Sequence, residues 1–297
     1  MTDRIELSAG DWRTSIAPAI GGSLLSLTFK GEPILRPTPE QAIAAGDVRL
    51  TAGYPMIPYA NRIDHGRFAF AGAPHQLDTS FIGAPHSIHG LAWRRAWTVE
   101  ARSAHACELS LVHRPSGAAD ADWPFAFEAS QRFIVTSLGL AIRMSMTNLE
   151  TAPSPAGLGL HTFFRRRPGE TLQFGSKGAW RNGSDMLPST VETGDAWNFA
   201  AARALDQHEI DNDFFGWGGL ARMTAPGAAT IRLRASRAFG ALRLYTPAGA
   251  DFYAVEPVSH LANAINRPDL VEGAMTILAP GASMRGEVDI EIVEAAN

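Results

Sequence analysis

Four short segments concentrate polar side chains that an apolar framework alone does not require. They are Asn61-Arg62-Ile63, His86-Ser87-Ile88-His89-Gly90, Gly159-Leu160-His161-Thr162-Phe163-Phe164 and Val255-Glu256-Pro257-Val258-Ser259-His260, the last followed by Asn263 and Asn266. Carboxylates and imidazoles are the side chains that move protons near neutral pH. Glu256 closes the run Phe252-Tyr253-Ala254-Val255, which reads as a buried strand that Pro257 is expected to stop. Desolvation at such an edge raises a carboxyl's proton affinity, which suits a general base. The alternative is a strand-end carboxylate turned to solvent. His161, flanked by Leu160 and Phe163, is either a proton donor or a core histidine satisfied by backbone groups, and His89 before Gly90 has the same two readings.

Other residues fit a polar small-molecule ligand. Arg62 offers a fork of donors to hydroxyls. Asp211 can accept hydrogen bonds from two neighbouring hydroxyls, or it caps a turn in its Asn/Asp-rich stretch. Phe215 and Trp217 can floor a ring or simply pack. His86 and His89 with His161 and Glu256 are plausible metal ligands by type, but in a strand the i, i+3 spacing points to opposite faces, so no metal is expected. Arg165-Arg166-Arg167 can hold an anionic group such as a sugar phosphate, or form a solvated turn ending at Pro168-Gly169.

What positions these residues is a repeat of period two. Phe125, Phe127, Ala129, Gln131, Phe133 and Val135 share one face, and after a turn at Thr136-Ser137 so do Leu138, Leu140, Ile142, Met144 and Met146. Two alternating runs joined by a tight turn predict a long β-hairpin. The pattern recurs at Ile231-Leu233, at Val288-Ile292, in a short hairpin from Arg67 to Leu77, and in the pair Trp93–Ser103 and Ala106–His113. Amphipathic helices are scarce, and 28 glycines and 19 prolines punctuate the chain. The expected fold is all-β, a large antiparallel sandwich, with the whole chain, 1–297, as one domain. The stretches 34–60 and 176–212 are the least regular and are expected to loop over the sheets.

Composition narrows the partner. With 45% hydrophobic and 19% charged residues, the chain is globular in type. A net charge of −4 argues against nucleic acid, which calls for a basic face. The opening residues lack a signal-peptide core, and no run approaches the roughly 20 apolar residues of a membrane helix. The one cysteine, Cys107, fits a reducing compartment. A cytoplasmic protein with no membrane or nucleic-acid partner is expected, as monomer or homodimer.

The ordered set of segments resembles the aldose 1-epimerase (galactose mutarotase) family. The matching motifs are Asn61-Arg62-Ile63 with Gly66, Phe68 and Gly72; His86-Ser87-Ile88-His89-Gly90; His161-Thr162-Phe163-Phe164; and Asp211-Asn212-Asp213-Phe214. The set continues with Glu256-Pro257-Val258-Ser259, Asn263-Ala264 and Asn266, then Gly273, Leu278, Pro280 and Gly281. The resemblance runs from about Ile16 to about Val293. It implies a β-sandwich with a shallow cleft, no cofactor and a monosaccharide substrate. It further implies Glu256 as general base, His161 as general acid and His89 as a second active-site histidine. Arg62, Asp211 and Asn61 are implied to bind sugar hydroxyls. Three departures bear on the substrate: His86 replaces an asparagine, Leu91 a glycine, and Arg165-Arg166-Arg167 an asparagine-containing segment.

The implied reaction interconverts the α and β anomers of a free aldose, with a carboxylate and a protonated imidazole on opposite sides of one small ring. A hexose-phosphate mutarotase anchored by Arg165–Arg167, a non-catalytic sugar-binding protein and a metal-dependent sandwich are the alternatives.

Overall fold

A computed structural model gives the fold and describes residues 4–82, 84–116, 120–205 and 209–293. The alternation read between 125 and 146 becomes two paired strands, Phe127–Thr136 and Gly139–Asn148. Phe127, Ala129, Gln131, Phe133 and Val135 face inward, while Glu128 and Arg132 face solvent. The turn sits one residue later than expected, because Thr136 pairs with Gly139. Gly139 takes a φ of 154°, and a Cβ there would meet the Ile290 carbonyl oxygen at 2.1 Å.

Two large antiparallel sheets face each other. One runs Thr98–Arg102, Ala106–His113, Phe127–Thr136, Gly139–Asn148, Ser283–Val293, Thr230–Ala235, Leu220–Thr224, Thr171–Phe174 and Arg203–Ala204. The other runs Ile5–Ala9, Trp12–Ala17, Ser23–Phe29, Gly53–Met56, Gly159–Arg165, Phe252–Val258, Ala241–Tyr245, Asp211–Phe215, Gly178–Asn182 and Pro188–Glu192, with Glu32–Pro33 beside Ser23–Phe29. This is the expected all-β sandwich. The one α-helix among the described residues, Glu40–Ala45, ends at Gly46 in the left-handed conformation.

Stretches 34–60 and 176–212 do more than loop over the sheets. The first supplies Gly53–Met56, a central strand, and the second supplies Gly178–Asn182 and Pro188–Glu192. Strands of four or five residues containing Gly, Pro or Asn show too few repeats for a period of two to stand out.

Most apolar side chains fill the space between the sheets. Leu160, Phe164, Leu242, Leu244, Tyr253 and Val255 of one sheet meet Phe133, Ile142, Met144, Leu233 and Ile290 of the other in one buried cluster. A second, smaller cluster, including Tyr54, Met56, Trp93, Phe163, Ala254 and Val258, lies on the opposite face of the longer sheet. The central strands of that sheet are therefore buried on both faces. Among the described residues, no helix is long and apolar enough to cross a membrane.

Candidate active site

Strand register assembles the site. His161 pairs with Tyr54 on Gly53–Met56, and Arg243 pairs with Glu256 across the neighbouring strands. Asp213 pairs with Arg243 on its other side, and Trp180 pairs with Asp213. The pairs Gly159–Val258 and Phe163–Ala254 flank His161 and Glu256 and set them opposite each other. Six adjacent strands thus line up Tyr54, His161, Glu256, Arg243, Asp213 and Trp180 in one transverse row. Because successive side chains alternate faces, the row lies on the face turned away from the main core.

Pro257 does not stop its strand, which continues to Val258. Its missing N–H falls where the ladder to the His161 strand is open, since pairing skips from Gly159–Val258 to Phe163–Ala254. The Val255 carbonyl, facing the same gap, accepts instead from the Thr162 hydroxyl at 2.6 Å.

Glu256 is 1% exposed and His161 7% exposed, which removes the solvent-facing alternative for the carboxylate. His161 Nε2 lies 3.4 Å from Glu256 Oε1. They are side by side rather than on opposite sides of a ring-sized gap, as adjacent strands require. Glu256 Oε2 and His161 Nδ1 are buried without a hydrogen-bond partner among the described residues. The imidazole stacks on Phe163 at 4.2 Å and tilts against Tyr54 at 4.7 Å between ring centroids.

Burial shapes the protonation of both groups. It pushes Glu256 well above the usual carboxylate range, with Asp211 and Asp213 adding to the rise and Arg243 and Arg62 opposing it. It pushes His161 well below the usual imidazole range, helped by His89, Arg36 and Arg243. Burial thus favours the uncharged form of each group.

Asn61, Arg62, His86 and His89 arrive on a two-stranded ribbon in which Arg62 pairs with Ile88 and Ile63 with Ser87. Asn61 and His89 both take left-handed backbone conformations, at φ 59° and 62°. His89 Nδ1 accepts the Asn61 backbone N–H at 3.1 Å, which leaves Nε2 as the protonated nitrogen of the neutral ring. That ring meets His161 edge to face at 5.5 Å. Burial lowers the His89 proton affinity further, so it suits hydrogen-bond donation rather than acid catalysis. Asn61 Oδ1 accepts the Arg62 backbone N–H at 2.8 Å, so Asn61 shapes the ribbon. Arg62 is half-buried and feels Arg243, Asp211, Asp213 and Glu256. Asp211 stands at the other rim, its side chain 28% exposed and paired with Arg243.

Several sequence candidates have structural employment. His260 accepts from the Ala60 N–H at 3.1 Å and donates to the Leu261 carbonyl at 2.8 Å. Asn263 Oδ1 accepts from the Asp64 N–H and from Asn266, tying the chain beyond Glu256 to the ribbon. Trp217 belongs to the main core, whereas Phe215 packs against the outer cluster. Arg166 donates to the carbonyls of Leu205, Pro247 and Phe252, and Arg167 pairs with buried Glu170. With Arg165 they line a separate cavity of about 500 Å³ that includes none of the row.

The four metal-ligand types do not converge. Among the described residues the group that brings potential ligand atoms together is Asp64, His65 and His86. Both His86 nitrogens are already engaged, Nδ1 accepting from the His65 N–H at 3.0 Å and Nε2 donating to the Asp185 carbonyl at 2.8 Å.

Four members of the row, Tyr54, Trp180, Asp213 and Arg243, are not among the candidates that the sequence singles out, although Asp213 lies inside the Asp211–Phe214 motif. Arg243 is 2% exposed, donating to Asp213 Oδ1 at 2.8 Å and to the Asp211 carbonyl at 3.0 Å. Its signal was a charge inside the apolar alternation Leu242-Arg243-Leu244.

Comparison with known proteins agrees with this architecture. The family model described as aldose 1-epimerase matches residues 3–291. The uncharacterized Escherichia coli K12 protein YphB is 27% identical over 296 residues, covering 96% of this chain and 97% of its own. An E. coli K12 crystal structure, provisionally assigned as an aldose 1-epimerase, superposes with a TM-score of 0.88 at 24% identity, covering 99% of both chains. The GalM/aldose epimerase homologue from C. elegans superposes at 0.83 with 16% identity, covering 100% of both.

Proposed function

The chain belongs to the aldose 1-epimerase family, and from that premise we propose that it interconverts the α and β anomers of a free aldose. The observation that carries the reading is the pair of buried, proton-active groups 3.4 Å apart, each with a polar atom left unpartnered. Side-by-side placement suits the chemistry, because the two oxygens that exchange protons, the C1 hydroxyl and the ring oxygen, are bonded to the same carbon.

Glu256, as carboxylate, takes the proton of the C1 hydroxyl. The C1–O5 bond breaks as C1 becomes an aldehyde, and O5 takes a proton from His161. Rotation about C1–C2 turns the other carbonyl face toward O5. Closure runs in reverse: O5 returns its proton to His161 and attacks C1, and the new C1 hydroxyl takes the proton held by Glu256. Each proton transfer is worth roughly 10²–10⁴-fold. His89, with its Nε2–H, Arg62 and Asp211 are assigned to hydroxyl binding. The sugar's own hydroxyls supply the polar contacts that make the ionised form of the pair accessible on binding.

Polarimetry tests this directly. Fresh α-D-glucose or α-D-galactose is expected to reach equilibrium rotation faster with the protein present, in proportion to its concentration. Calorimetric sugar binding with no acceleration for any aldose in a broad panel would replace the enzyme with a sugar-binding protein.

A further inference from the structure

We propose that Arg243 is a positioning residue that holds Glu256 as the working carboxylate, an inference that rests on the assignment of Glu256 as base. Arg243 stands directly opposite Glu256 on the adjacent strand, so their Cβ atoms are about 5 Å apart. Its guanidinium is buried and fixed from the far side, with one nitrogen on Asp213 Oδ1 at 2.8 Å and the other shared between the Asp211 carbonyl and carboxylate. Asp213 is itself held by the Ala262 N–H at 2.8 Å. These bonds tie the guanidinium to the neighbouring strand. It acts as a permanent positive charge built into the wall behind the base.

As a cation Arg243 favours the carboxylate form of Glu256, and the two aspartates oppose it. Arg243 stands on the strand next to Glu256, whereas Asp211 and Asp213 stand two strands away. Among the charges acting on Glu256, that of Arg243 is the strongest. Burial works the other way and favours the neutral acid, which cannot take a proton from a sugar hydroxyl. The other groups acting on Glu256 are His161 at 3.4 Å, Arg62 from the ribbon, and Tyr54 and Tyr245. Among these Arg62 is the remaining cation, and it is only half-buried. Arg36, beyond Phe163, acts on His161. The aspartates have a second consequence: they temper Arg243, so removing one should strengthen its hold on Glu256.

The two directions make the test. Infrared difference titration of the Glu256 carboxyl band, identified by its loss in Glu256→Gln, reads the ionisation without requiring turnover. In Arg243→Gln the protonated band should persist at least one pH unit higher than in wild type, a tenfold change in proton affinity. Arg243→Lys should fall between, and Asp213→Asn should shift the band to lower pH. The acid limb of the kcat/KM profile for α-D-glucose should move in the same directions. An unmoved titration in folded Arg243→Gln, or an upward shift in Asp213→Asn, overturns the inference. If Arg243→Gln does not fold, Asp213→Asn decides alone, by its direction. A band that shifts as stated in a protein without mutarotase activity leaves the inference standing and removes the proposed reaction instead.

Discussion

The His161 and Glu256 strands carry two faces that are equally buried and opposite in content. On the inner face Leu160, Phe164, Tyr253 and Val255 join the main core, with the Phe164 and Tyr253 rings stacked at 5.9 Å. On the outer face, one residue along, stand His161, Phe163, Ala254 and Glu256. Both faces obey the same alternation, and neither is wet. The inner face gains free energy by excluding water from carbon. The outer face excludes water from a carboxyl and an imidazole, which costs stability.

Substitutions on either face should separate these roles. Glu256→Gln is expected to lower the acceleration by about 10²–10⁴-fold in polarimetry, while the melting temperature at pH 8 stays level or rises. Full activity in the folded variant would end the assignment of the base. Leu244→Ala, next to Arg243 but facing inward, should do the reverse. It should cost about 2–5 kcal/mol in denaturant unfolding and leave kcat unchanged at temperatures where the protein remains folded.

The pH dependence of stability sharpens the contrast. Burial lowers the proton affinities of His89, His161 and His260 in the folded state. Their contribution is complete above the unfolded imidazole value of about 6.5 and is lost as pH falls through the folded values. The melting temperature should therefore drop on acidification below about pH 6.5. Glu256, whose proton affinity burial raises, contributes fully below the unfolded carboxyl value, and that contribution is lost as pH rises through its folded value. Glu256→Gln should flatten the alkaline loss and keep the acid one. A wild-type melting temperature flat from pH 7 to 5 would contradict the burial of neutral histidines. The smallest effect expected is at the far end of the same strand. Arg165→Ala, at a side chain 50% exposed beside Glu32, should change neither the rate on a hexose nor any preference for its 6-phosphate.

The sequence made legible what rests on local pattern. The hairpin from Phe127 to Asn148 follows from alternation alone, and the motif order carried Glu256, His161, His89, Arg62 and Asp211. What escaped depends on pairing between distant segments. Tyr54 meets His161, and Arg243 meets Asp213, through register that neither segment encodes by itself. The strand through Pro257 was misjudged because an absent N–H is harmful only where a neighbour waits for it, and that too is a property of register.

The open rungs between the His161 and Glu256 strands give the sheet a seam, fastened across by a single threonine hydroxyl. A sheet yields along its weakest stitching, and here that line runs between His161 and Glu256. Thr162→Val would unfasten that stitch at nearly constant volume, and the compliance of the joint, rather than its chemistry, is what such a change would alter.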